Sequence, residues 1–155
     1  MGSVAGIFVA PIGEMPLASR EEVLAVAGHG LEGDRYFDGS GTYSTTPGTG
    51  RQVTLIESEA LQAAERDYDL HLPPGASRRN IVTAGVALNH LVGREFMVGG
   101  VRLLGTRLCE PCSHLAKLTG QPVVKALIHR AGLRADILEG GLIRLGDEVR
   151  PIEVG

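Results

Sequence analysis

The sequence predicts a mainly β protein, a closed and mostly antiparallel β-barrel decorated by two or three peripheral helices. Three observations lead there. About eight short, strand-like apolar runs follow one another along 155 residues, a length that suits one domain with a real core. The chain holds 22 glycines, about twice the ordinary usage of roughly 7%, and they are spread along it rather than gathered in a linker. Tight turns between short strands would use them so. Helical readings, finally, are short, at 57–66, at a turn over 85–93 and after residues 113 and 122, and no repeat of fixed period is visible.

Taken in order, residues 3–9 are apolar and β-compatible and end before Pro11. Pro16 and Ser19-Arg20-Glu21 read as a polar connection to a second strand at 23–27. Residues 28–35 carry Gly28, Gly30 and Gly33, which permit turns that other residues resist, and end on Asp34 and Arg35, a pair whose commonest fate is a solvated turn. Residues 36–50 are too rich in glycine and hydroxyls to pack and are expected to be a mobile loop, either lid or disordered. Strand alternation returns at 51–56, and residues 57–66 are good helix formers with acids in the first turn, where the helix dipole favours them.

Leu72-Pro73-Pro74-Gly75 stops regular structure, and 77–83 enters a strand through Arg78 and Arg79. Two arginines at a strand mouth are more often plain surface charge, yet guanidinium forks leading into an apolar strand also suit a phosphate or carboxylate. A short helical turn at 85–93 precedes a hairpin, 94–98 and 101–108 about Gly99-Gly100. Ser113 can cap a short helix, Pro122 suits the first turn of another, and Gly132 stands where that helix would end. Residues 133–138, 142–145 and 148–152 supply the last β segments, turned at Gly140-Gly141 and Gly146-Asp147.

The hairpin delivers the chain to Leu108-Cys109-Glu110-Pro111-Cys112-Ser113-His114, which holds both cysteines of the chain. Two sulfurs three positions apart suit a soft metal, a redox pair or a persulfide carrier, and the proline between them stiffens the turn. The same spacing also fits half of a structural zinc site, a disulfide pair or buried thiols without a role. A closed zinc site would need His114 and one of His29, His71, His90 or His129.

Composition narrows the classes of function. A net charge of -3 argues against a protein whose main business is nucleic acid. No apolar run reaches membrane-spanning length and no signal-peptide pattern is visible, so neither membrane nor nucleic acid is an expected partner. Two cysteines do not build a disulfide scaffold, and a reducing cytoplasm is the expected compartment.

Together the pieces resemble the MOSC domain, the module named for the C-terminal domain of molybdenum-cofactor sulfurase, in a small, stand-alone form of bacterial type spanning 1–155 as a single domain. The resemblance rests on 30–35 (Gly-Leu-Glu-Gly-Asp-Arg), 51–56 (Arg-Gln-Val-Thr-Leu-Ile), 78–82 (Arg-Arg-Asn-Ile-Val), 91–93 (Leu-Val-Gly), 109–112 (Cys-Glu-Pro-Cys) and 140–147 (Gly-Gly-Leu-Ile-Arg-Leu-Gly-Asp), in that order. It implies a pocket associated with sulfur transfer or with the molybdenum cofactor, whose dithiolene holds the metal and whose tail is a phosphate. In the amidoxime-reducing members one cysteine ligates molybdenum, and Cys112 corresponds to it. Arg78 and Asn80 match an arginine and an asparagine beside the cofactor, Arg35 and Arg51 are further candidates for its anionic groups, and Cys109 is expected beside the metal ligand or as a resolving thiol, its alternative being a buried thiol. Pyridoxal phosphate is not expected within this chain.

The resemblance implies a small-molecule substrate of the N-hydroxylated class, with Cys112 as catalytic metal ligand. Neither a flavin nor an iron–sulfur motif is present, so electrons would come from an external electron-transfer protein. One alternative is a sulfur carrier, with a persulfide on Cys112 delivered by a cysteine desulfurase; another is a non-catalytic module with structural or zinc-bound cysteines. The amidoxime-reducing members carry an additional β-rich domain that this chain is too short to contain, which leaves a cofactor held at a homodimer interface among the arrangements open to it.

Overall fold

In the computed structural model, which describes residues 2–9, 18–34, 52–69, 79–109 and 132–152, the chain opens with β1 (Gly2–Val9). It continues through β2 (Ala18–Arg20), β3 (Glu22–Val26), β4 (Gly30–Leu31) and β5 (Val53–Glu57), then α1 (Ser58–Tyr68). Next come β6 (Ile81–Ala84), a 3-10 turn (Leu88–Leu91), β7 (Glu95–Val98), β8 (Val101–Leu108), β9 (Leu133–Glu139), β10 (Gly141–Arg144) and β11 (Glu148–Pro151). The strands at 3–9, 51–56, 77–83 and 101–108 and the helix at 57–66 thus have counterparts displaced by a few residues at their ends. The expected loop 36–50 and the expected helices after Ser113 and Pro122 lie outside the described residues.

Seven strands close on themselves in the order β11-β7-β8-β9-β5-β6-β1, and β1 pairs back to β11 through Gly2 opposite Val149 and Ser3 opposite Glu148. Closure removes the unpaired strand edges that an open sheet would leave. Neighbours around the barrel are antiparallel except β5 and β6, which run parallel with Leu55 opposite Ile81. A parallel joint needs a crossover, and α1 lies within it. Ala60 and Ala64, one turn apart, are the buried residues of that helix.

The barrel interior is hydrocarbon. Val4, Ile7, Val9, Val53, Leu55, Ile81, Phe96, Val98, Val101, Leu103, Leu133, Ala135, Ile137 and Val149 belong to one buried cluster. Strict alternation would put Val4 and Ile7 on opposite faces of β1. A register shift against β6 between Val4 and Gly6 resets the phase, so both face inward. Leu88 and Leu91 of the 3-10 turn join the same cluster. That turn lies against β8 so closely that a Cβ built on Gly105 would stand 2.1 Å from the Leu91 carbonyl oxygen.

Two segments depart from the sequence reading. Ala18–Arg20 is a strand rather than a polar connection: Arg20, Ser19 and Ala18 pair with Ile7, Phe8 and Val9 of β1. Its three residues are exposed, so no hydrophobic alternation announces it. After Gly140 the chain does not fold back on β9; β10 pairs with β3, Leu142 opposite Leu24, in a second sheet of order β10-β3-β4. No helix among the described residues is long and apolar enough to cross a membrane.

The tight seat of the 3-10 turn makes a measurable claim. Gly105→Ala should lower folding stability by roughly 3 kcal/mol through overpacking against backbone. Gly100→Ala, whose added Cβ meets nothing within 4 Å, should stay within about 0.5 kcal/mol of wild type. Chemical denaturation of the two variants checks the difference.

Candidate functional site

Pairing register lays a row of residues across five strands of the barrel: Leu108 opposite Leu133, Leu133 opposite Leu55, Leu55 opposite Ile81, and Ile81 opposite Ile7. Leu133, Leu55, Ile81 and Ile7 face the core, and Leu108 packs against it. Because side chains alternate, the adjoining row of Arg107, Arg134, Thr54, Asn80 and Phe8 faces outward. Phe8 accordingly packs outside the main core, against Val82. This outer row is where the described part of the chain brings polar groups together.

Asn80 is the most committed of them. It is fully buried, and its Oδ1 accepts from the Thr54 amide and the Thr54 hydroxyl, each at 3.1 Å. Its Nδ2 donates to the Phe8 carbonyl at 3.1 Å. The Asn80 backbone N–H donates to Thr54 Oγ1 at 3.0 Å, and the Phe8 N–H donates to the Asn80 carbonyl at 2.7 Å. One side chain therefore ties β1, β5 and the start of β6 together. The arginine two positions before it, Arg78, lies outside the described residues; Arg79 is half-buried beside it.

Cys109, one residue past β8, is a free thiol with 1% of its surface exposed. Its N–H donates to the Gly132 carbonyl at 2.8 Å. Gly132 has φ 114°, and a Cβ there would stand 2.0 Å from the Leu55 carbonyl oxygen, so only glycine fits where the chain rejoins the sheet. The end of β8 and the start of β9 are thus pinned to each other at this point. Cys112 and His114, and likewise Arg35 and Arg51, lie outside the described residues. Asp34, expected to be half of a solvated turn pair, is instead buried at 3% exposure, with its N–H donating to the Leu31 carbonyl at 3.0 Å.

Two outer-row residues had no signal in the sequence. Arg134 is half-buried, and its Nη1 is shut off from water with no hydrogen-bond partner among the described residues. Arg107 stands opposite it on β8, exposed. Read linearly, Arg134 alternates with Leu133 and Ala135, and Arg107 stands between Thr106 and Leu108, both ordinary for a strand with one wet face.

A second polar cluster sits where β5 passes into α1. Burial, reinforced by the neighbouring Glu59 carboxylate, pushes the Glu57 carboxyl above the usual carboxylate range, against a hydrogen bond from Leu88 and the charge of His90. Glu59 is held below that range, chiefly by the Gly85 N–H donating to its Oε2 at 2.7 Å.

Among the described residues no group of three or more His, Cys, Asp or Glu is arranged to hold a metal ion. A metal that brings its own sulfur ligands on an anionic organic cofactor asks the protein for less: one soft ligand and cationic groups for the anion. The unsatisfied nitrogen of Arg134, on the same outer row as Asn80, fits the second of those requirements.

Comparison with known proteins gives a consistent picture. The family model described as MOSC domain matches residues 42–150. The chain is similar in structure to the YuaD protein from Bacillus subtilis, with TM-score 0.80 and 18% identity over 100% of this chain and 98% of that one. YiiM from Geobacillus stearothermophilus gives 0.75 at 18% identity, over 99% of this chain and 76% of that one. YiiM from Escherichia coli gives 0.67 at 14%, over 99% and 71%. At such identities the likeness concerns the fold. No curated protein matches the chain.

Two outcomes follow from the polar groups. Asn80→Ala should destabilise the protein by roughly 3 kcal/mol in the absence of any ligand, because the Thr54 amide and hydroxyl lose their buried acceptor; thermal unfolding of protein free of cofactor measures it. For Glu57, the folded state holds the proton more tightly than the unfolded chain does. The stability it contributes is therefore present at low pH and is lost as pH rises through its folded pKa. Glu57→Gln should raise the thermal midpoint at neutral pH, and the gain should fade toward about pH 4, where an ordinary glutamate takes up its own proton.

Proposed function

The chain belongs to the MOSC domain family, and from that premise we propose that it binds the molybdenum cofactor and reduces N-hydroxylated compounds, with Cys112 as the protein ligand to the metal. The observation that carries this reading is the family match over 42–150, which takes in Arg78, Asn80 and the Cys109-Glu110-Pro111-Cys112 motif in family order. Reduction of an N-hydroxylated base consumes two electrons and two protons and releases the amine and water, so the chain needs an external electron-transfer protein. When bound, the cofactor supplies the two-electron redox change.

The residues of the chain have distinct tasks in this reading. Cys112 gives a thiolate, the softest donor a protein owns, and cationic groups of a site that takes an anionic cofactor would favour its ionised form. Arg78, with Arg35 and Arg51, neutralises the cofactor's anionic groups. Asn80 acts through position: with its side chain committed to Thr54 and Phe8, it holds the mouth of β6, and so the point from which Arg78 extends, against β5 and β1. The buried Cys109, its backbone pinned to Gly132, anchors the start of the segment that carries Cys112.

Metal and pterin analysis of protein purified from hosts with and without cofactor synthesis tests the reading. Molybdenum and pterin should accompany the chain from the competent host. Cys112→Ser should reduce the rate with an N-hydroxylated purine and an artificial electron donor by on the order of a hundredfold or more, since even partners one bond further from a metal are worth 10–100-fold. Protein from the competent host that carries neither molybdenum nor pterin, but gains a sulfur atom on Cys112 when incubated with a desulfurase, would replace this function with that of a persulfide carrier.

A further inference from the structure

Arg134 and Arg107 make a pair that the fold itself does not explain. They are register partners on β9 and β8. Leu133, Ala135 and Ile137 point into the barrel core, so Arg134 stands on the outer face, and its partner shares that face. Like charges directly opposite one another in a sheet repel. A guanidinium nitrogen closed off from water without an acceptor carries a desolvation cost as well. Neither arginine takes part in an ion pair among the described residues. Asp136, the next residue of β9 on that face, has an interaction of its own and leaves Arg134 Nη1 without an acceptor.

We propose that Arg134 and Arg107 form an oxyanion site on the outer wall of the barrel, for a phosphate group carried as a monoester. A dianion between the two guanidinium groups would turn their repulsion into a shared attraction. Planar N–H forks on two adjacent strands match the several oxygens of a phosphate. The pairing shifts by one residue at Thr106, between Gly105 and Arg107, and the Thr106 hydroxyl donates to the Arg134 carbonyl at 3.1 Å across that irregularity. Arg134 is two strands from Asn80, about 10 Å at the usual inter-strand spacing, so a phosphate there lies beside the outer row. The site goes beyond the reductase reading and does not depend on it.

The test is a titration with inorganic phosphate, followed by the thermal midpoint at constant ionic strength with chloride as the balancing anion. It uses protein from a host that makes no pterin, so that failure of the molybdenum reading leaves it untouched. Phosphate should raise the midpoint saturably. Arg134→Gln should abolish the response, and Arg107→Gln, an exposed position that does not threaten folding, should weaken phosphate binding about tenfold, the effect of losing one charge-assisted contact. A wild type that responds to phosphate no more than to chloride overturns the proposal, as does an Arg107→Gln variant with unaltered phosphate affinity. Repeating the titration on pterin-loaded protein separates two sources of the phosphate. Loss of the response means that the cofactor's own phosphate fills the site, and persistence means that a phosphorylated small molecule uses it.

Discussion

One buried amide holds the barrel at its weakest joint. Among the described strands, β5 and β6 are the one neighbouring pair that runs parallel, and a parallel ladder is slightly less stable per residue than an antiparallel one. Asn80 stands at the head of that joint and bonds to β5 on one side and β1 on the other. Asparagine suits the position because its amide accepts and donates at once. A carboxylate would lose the donor to Phe8, and a hydrophobic residue would leave Thr54 unsatisfied in a dry place.

The same barrel decides where chemistry can happen. Seven strands enclose a space that Val, Leu, Ile and Phe side chains fill, as in small barrels generally. That interior is apolar among the described residues, and the polar groups that meet do so on the outer face. Asn80, Arg134 and Arg107 lie on one outward row, and Cys109 follows the next strand end.

The polar cluster at the β5–α1 junction illustrates a cost of that arrangement. Glu57 is half withdrawn from water and stands near a second carboxylate, Glu59. Glu59 is offset by the Gly85 amide, which links the helix start to the end of β6. Glu57 has less to offset it, so the junction is more comfortable when that proton is on.

Much of this protein was legible from residue order. The glycine-punctuated apolar runs determine a closed β architecture, because short alternating strands with tight turns have few other ways to bury one face. The motifs from Gly30 to Asp147 determine the family. Tertiary structure alone decided three things. It made a strand of Ala18–Arg20, which has no buried side chain to betray it. It sent β10 to β3 instead of β9, since pairing partners distant in sequence leave no local trace. And it set Arg134 against Arg107, a meeting of like charges that two separately unremarkable strands cannot announce, because register, and not composition, chooses which side chains face each other.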